Sequence, residues 1–191
     1  GGGRRIPYLA VIHRLDQPVE GVLVFAKEKK SAAVLTKQLS AGTLNKQYYA
    51  VLCGYPDASE GELVDYLRKE GSVAVAVTGR EMNFPDAKIA KLHYSILEKI
   101  NQPMPLALAD VCIETGRFHQ IRVPLLGDTK YGNTTVAGTA GSPAYRGVAL
   151  CAYSLDFTHP GNGKKMSFRV KPRNPAFEKF TKIPSEDIFE G

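Results

Sequence analysis

Short strand-like runs recur along this chain with little between them that could be helical, and that recurrence limits the fold more than any other feature. Apolar, β-branched and aromatic runs fall at Tyr8–Ile12, Val22–Ala26, Gln47–Cys53, Glu62–Leu67, Val73–Thr78, Ala90–Leu97, Leu106–Ile113, Val148–Phe157 and Lys165–Val170. Runs of this kind separated by turn residues read as strands. The segment Val73-Ala-Val-Ala-Val77 alternates large and small apolar residues, as expected of a strand packed on both sides. Ser31 to Ala41 is the clearest helix: Ser31 can cap it, Leu35 and Leu39 share a face, and Gly42 can close it. A shorter helix is predicted over Phe118–Val123 and a third over Pro175–Lys182. Strands outnumber helices and do not alternate with them regularly. The expected class is therefore α+β, with a mainly antiparallel central sheet and flanking helices.

At 191 residues, residues 1–191 are read as one domain with a substantial core. No internal repeat or low-complexity linker divides it. Hydrophobic content of 43% and charged content of 23% argue against pervasive disorder. No apolar run approaches the roughly 18 residues of a membrane span, and the Gly/Arg leader has no signal-peptide core. Three cysteines, Cys53, Cys112 and Cys151, lie in or beside apolar runs and are expected as buried, unpaired thiols of a cytoplasmic protein. Without C-x-x-C or H-E-x-x-H no metal is expected. The net charge of +6 is unevenly spread, with eight Lys/Arg against three Asp/Glu in residues 1–46. Lys164, Lys165, Arg169, Lys171 and Arg173 form a second basic cluster. Two basic patches suit a polyanion crossing the surface, although a solvated, soluble surface would show the same excess.

Two segments concentrate chemistry. Glu114-Thr-Gly-Arg-Phe-His-Gln-Ile-Arg122 packs a turn, two guanidinium groups, an imidazole and an amide into nine residues. Far upstream, His13-Arg14-Leu15-Asp16 places one carboxylate after a cation and ahead of the apolar run Gly21-Val-Leu-Val-Phe-Ala26. Between them stands Lys46-Gln-Tyr48-Tyr-Ala50, and beyond them Gly127-Asp-Thr-Lys-Tyr-Gly132, Leu150-Cys-Ala152 and Phe157-Thr-His-Pro160. In this order, and with Gly21 five residues beyond Asp16, the motifs resemble the RluA-type family of RNA pseudouridine synthases from about Leu9 to about Val170. The resemblance implies a mixed central sheet with the active cleft along one face. It also implies isomerisation of uridine to pseudouridine in ribosomal or transfer RNA, without a cofactor.

Breaking N1–C1′, rotating the base and rejoining it through C5 needs no redox step, metal or group donor; one enzyme nucleophile or base can suffice. Asp16 is the candidate, attacking C6 of the ring or C1′ of the sugar, or stabilising charge while a glycal forms. On its own, Asp16 could equally be a turn residue ahead of Gln17-Pro18. The family position makes Arg122 its partner, a guanidinium that would keep the carboxylate ionised and oriented. Tyr48 stands where the family has its active-site tyrosine, able to stack on the extracted base or relay a proton, while Tyr49 must face the other side of the strand. Arg14 is a candidate for base extrusion, and His13 is expected to orient the loop. Arg117 and His119 either touch the RNA backbone or organise the Thr115-Gly116 turn, and with Gln120 they are assigned to the substrate side. Leu150 resembles the aliphatic residue packed beneath the target base, and a core leucine is an alternative. Asp128 and Tyr131 read as structural.

Three departures from the family pattern stand out. Nothing but a Gly/Arg leader precedes the first motif, where members carry a strand and an N-K-P segment. Val123 runs directly into Pro124 where members have several more residues. Segments of the molecule missing from this sequence are the expected reason for both. Val19-Glu20-Gly21 replaces a common T-S-G and is expected to put an anion near Asp16. These departures motivate an alternative, a catalytically silent RNA-binding module on the same scaffold. A phosphodiesterase using His13 and His119 fits less well, since it leaves Asp16 without a task. A monomer is expected, with no membrane partner.

Overall fold

The computed structural model describes residues 7–16, 19–71, 73–101, 104–116, 121 and 149–191. β1 (Ala10–Val11) and β3 (Phe25–Ala26) form a small antiparallel ribbon. Nearly everything else joins one sheet: β2 (Glu20–Gly21), β4 (Asn45–Cys53), β5 (Glu60–Glu70), β6 (Val73–Val77), β7 (Lys88–Ile100), β8 (Leu106–Ile113), β9 (Leu150–Thr158), β10 (Lys165–Arg169) and β11 (Ile188–Glu190). Its order is β11-β10-β9-β4-β8-β7-β5-β6, with β2 added to β9. The β2–β9 pair is parallel and every other described pair is antiparallel. The α+β expectation with a mixed, mainly antiparallel sheet is borne out.

Strand alternation sorts the core into two faces. On the front face Tyr48, Ala50, Leu92, Ala109, Val111, Leu150 and Ala152 form one cluster. On the rear face Tyr49, Val51, Leu106, Leu108, Ala149 and Cys151 pack with Ala176, Phe177 and Phe180 from the C-terminal segment. Tyr49 does face away from Tyr48, and its ring stacks on Tyr153 with centroids 3.6 Å apart. The single α-helix described, α1 (Lys29–Ser40), buries Leu35 against Leu155 and Phe157. These lie on the front face too: Leu155 pairs with Lys46, which alternates with Tyr48 along β4.

Several local expectations need correction. The helix starts at Lys29, two residues before Ser31, after an extended Glu28 that makes no side-chain cap, so Ser31 is helical and not its cap. Gly42, in the left-handed region at φ 68°, does close it. The run Val22–Ala26 is split, since Val22–Val24 hold no ladder and the pairing residues are Glu20–Gly21 and Phe25–Ala26. Residues 175–179 form a short 3-10 helix in place of a longer α-helix. β6 is an edge strand with Ala76 exposed, so it is not covered on both faces. Of the three thiols, all free, Cys151 is buried and Cys53 half-buried, but Cys112 is exposed because strand alternation turns it outward. The helix expected over Phe118–Val123 lies outside the described residues apart from Ile121, as do Asp128, Tyr131 and the Val123-Pro124 junction. No described helix is long and apolar enough to cross a membrane.

Candidate active site

The His13–Asp16 segment crosses the front face between β1 and β2. His13 is buried, and its Nε2 accepts a hydrogen bond from the Val24 backbone N–H at 3.4 Å. An accepting Nε2 puts the neutral ring's proton on Nδ1, which is buried without a partner among the described residues. Burial and, secondarily, the nearby Lys46 push the imidazole down to about 4. His13 is therefore a neutral brace between two arms of the loop. Arg14 is exposed, and Leu15 and Asp16 are half-buried. Asp16 closes a turn through its backbone, its carbonyl accepting from Val19 N–H at 2.7 Å. The turn reading and the chemical reading thus use different parts of the residue.

The chain then docks on the sheet. Glu20 and Gly21 run parallel to Cys151 and Ala152, and Val22 N–H donates to the Ala152 carbonyl at 2.9 Å. A Cβ on Gly21 would lie 2.3 Å from that carbonyl oxygen, and its φ of 139° is open only to glycine. This close approach is the physical reason for a glycine five residues beyond Asp16.

Tyr48 meets this loop from β4. It is 6% exposed, and its hydroxyl is pushed up to about 12, first by burial and then by the Asp16 carboxylate. The phenol therefore remains protonated at neutral pH with a carboxylate in its field. Lys46, two residues earlier on the same face, is half-buried and its ammonium is lowered by desolvation. The sequence reading gave Lys46 no role; its i, i+2 spacing from Tyr48 was the available signal. Leu150 is 4% exposed in the cluster that holds Tyr48.

The second motif reaches the same place. Lys91 N–H donates to Thr115 Oγ1 at 2.8 Å, and Glu114 N–H to the Lys91 carbonyl at 3.0 Å, pinning the turn to β7. Ile121 packs on the front cluster beside Leu15 and Val19, which flank the Asp16 turn. Tyr48, Leu150, the Asp16 loop and Ile121 are thus brought together on one face. Arg122, Arg117, His119 and Gln120 lie outside the described residues.

Glu20 is a correction. The register sets it beside Cys151, a rear-face residue, and its carboxylate accepts from the backbone N–H groups of Arg173 and Asn174, each at 3.0 Å. The anion points away from the front cluster. A rear-face cavity of about 580 Å³ is lined by Glu60, Glu62, His93, Asp110 and Cys112 among others. Its acidic wall is unsuited to phosphate, and none of the described candidate residues lines it. At its edge Glu62, His93 and Glu114 could in principle hold a metal, their ligand atoms lying within 4.8 Å of one another. Lys91 Nζ, however, sits 3.0 Å from Glu62 and 3.3 Å from Glu114 and already offsets one of their two charges.

A half-buried carboxylate, a protonated phenol in its field and an apolar floor can hold a planar base and deliver a nucleophile or a proton. Comparison with known proteins points the same way. The sequence pattern of a family described as RNA pseudouridylate synthase matches residues 3–126. The chain is 31% identical over 175 residues to ribosomal large subunit pseudouridine synthase D of Nitrosomonas europaea, covering 84% of this chain and 47% of that protein. It is 30% identical over 172 residues to ribosomal large subunit pseudouridine synthase C of Vibrio cholerae, covering 85% and 51%. The chain thus spans about half the length of these relatives. Among solved structures, human RNA pseudouridylate synthase domain containing 1 superposes with a TM-score of 0.71 at 21% identity, over 86% of this chain and 69% of that one, a likeness of fold.

Proposed function

The chain belongs to the RluA-type RNA pseudouridylate synthase family, and we propose that it isomerises uridine to pseudouridine in structured RNA with Asp16 as its catalytic carboxylate. The observation that carries this reading is the convergence on one face of the Asp16 turn, Tyr48 and Ile121, the residue preceding Arg122. Arg122 would sit beside Asp16 and hold it ionised; Tyr48 would stack on or relay a proton to the detached base; Leu150 would floor the pocket. Arg14, exposed beside the nucleophile, would fill the stack vacated by the flipped nucleotide, and Arg117, His119 and Gln120 would meet the RNA. His13 would act at one remove, by bracing the loop. In the reaction the N1–C1′ bond breaks, C5–C1′ forms, the C5 hydrogen leaves to solvent and N1 takes up a proton. We infer ribosomal or transfer RNA as the substrate, acted on by a cytoplasmic monomer without a cofactor. The silent-module alternative loses one of its two supports, since Glu20 is engaged elsewhere.

Transcripts of ribosomal and transfer RNA carrying tritium at uracil C5 test the reading. The chain should release tritium, and Asp16→Asn should reduce release by at least about a thousandfold while leaving RNA affinity within a few-fold. Release by the Asp16→Asn variant at an undiminished rate would remove the carboxylate from the mechanism. Binding without any release by the unaltered chain would favour the silent module.

A further inference from the structure

We propose that Glu20 is a positioning residue for the reaction, a tie that fixes the Asp16 turn from the rear of the sheet; this rests on the reading of Asp16 given above. The upper edge of β9 is shared between two strands. β10 pairs with Ser154–Thr158, and Val170 N–H donates to the Tyr153 carbonyl at 2.8 Å. From Ala152 the edge passes to β2, which carries the end of the Asp16 turn. A two-residue parallel strand beginning four residues beyond Asp16 is a weak anchor by itself, since it makes few ladder bonds. Glu20 supplies the missing restraint. Its two carboxylate oxygens accept separately from Arg173 N–H and Asn174 N–H, both at 3.0 Å, and bonds to an ionised acceptor are the stronger kind.

The donors are themselves fixed. Asn174 caps the following 3-10 helix, its side chain accepting from Ala176 N–H, and that helix buries Ala176 and Phe177 in the rear core. A continuous path of bonds therefore runs from rear core to Asn174, to Glu20, to the turn closed by Asp16 and Val19. Glycine at position 21 draws β2 tight against Ala152 and directs the Glu20 side chain to the rear. Glu20, one of the two residues that depart from the family's common T-S-G, is thus the one that links the catalytic loop to the C-terminal segment.

The tie can be cut from either end. Glu20→Ala removes the acceptors. Asn174→Pro removes one donor together with the side-chain cap, at a φ of −65° that proline prefers. Asn174→Ala, which keeps the N–H and loses only the cap, is the control. In steady-state tritium release, Glu20→Ala should lower kcat about ten- to a hundredfold with KM for RNA changed less than about threefold. Asn174→Pro should lower it in the same sense, Asn174→Ala should not, and the double variant should be no worse than Glu20→Ala. Amide exchange at Val19 and Val22 should accelerate at least about tenfold in Glu20→Ala and not in Asn174→Ala, which reads the tie independently of activity. A folded Glu20→Ala protein with unchanged kcat and unchanged exchange at Val19 would overturn the proposal. Turnover by Asp16→Asn would instead sink the catalytic reading and leave the exchange result to decide the tie.

Discussion

His13 and Tyr48 are two titratable groups that burial moves away from the physiological range, in opposite senses. His13, held at about 4 against an ordinary 6.5, is neutral in the fold while the unfolded chain takes up a proton below pH 6.5. Between those values the unfolded state binds more protons, so stability rises with pH through the window and falls on acidification. At about 1.4 kcal/mol per pH unit, lowering the pH from 6.5 to 5 should cost roughly 2 kcal/mol. Urea unfolding at both pH values should show that loss in the unaltered chain and not in His13→Gln, which keeps an acceptor for Val24 N–H. Equal pH dependence in both proteins would place the imidazole in a wetter environment than the one described. Tyr48, pushed to about 12, stays protonated throughout any practical assay, so an alkaline loss of activity below pH 10 should not come from it. Tyr48→Phe keeps the ring in the front core and removes only the hydroxyl. If the phenol relays a proton, tritium release should fall by about a hundredfold or more, with an unfolding midpoint close to that of the parent. Undiminished release would leave Tyr48 a stacking platform only.

At the scale of elements, the β2–β9 contact is the joint on which the Asp16 loop hangs. Gly21→Ala should be costly because two effects add: a φ of 139° closed to side chains and a Cβ placed 2.3 Å from the Ala152 carbonyl oxygen. Unfolding experiments should find about 3 kcal/mol of lost stability, and a variant within 0.5 kcal/mol of the parent would mean that β2 does not lie where described. This joint was only half legible in the sequence. The glycine was visible as a fixed offset from Asp16, but the run Val22–Ala26 looked like one strand. Only Phe25 and Ala26 of that run enter a ladder, with β1, while β9 takes Glu20 and Gly21 just ahead of it, and hydrophobic periodicity carries no information about partners. β8, central and flanked on both sides, matched its apolar run at both ends, whereas the exposed β11 has no burial pattern to betray it. The candidate site was legible as a set of motifs. The side of the sheet to which Glu20 turns was not, because that depends on a parallel register with a strand 131 positions downstream.

For the molecule as a whole, the placement of charge decides how a polyanion would approach. The rear cavity is walled by Glu60, Glu62 and Asp110. On the front, α1 packs beside the Asp16 loop, and its exposed surface carries Lys29, Lys30 and Lys37 with no acidic residue in the helix. The β9–β10 turn with Lys164 is joined to that helix, since the Gln38 side chain donates to the Thr158 carbonyl at 2.7 Å and accepts from Thr158 N–H at 2.8 Å. Gln38 and Thr158 are 120 residues apart along the chain, so this contact brings the lysines of α1 and the Lys164 turn into one neighbourhood, a path that one RNA backbone would track across. Binding to a structured transcript should weaken steeply with salt, and the log–log slope should lessen by about one for each phosphate-contacting lysine removed. Lys37→Gln combined with Lys164→Gln should therefore flatten the slope by about two and raise KM, with kcat per bound RNA nearly unchanged because neither side chain belongs to the front cluster. Rear-face Lys91→Gln should leave the slope as it was. If the rear variant flattens the slope and the front pair does not, RNA binds the opposite side of the sheet, and the proposed site is on the wrong face.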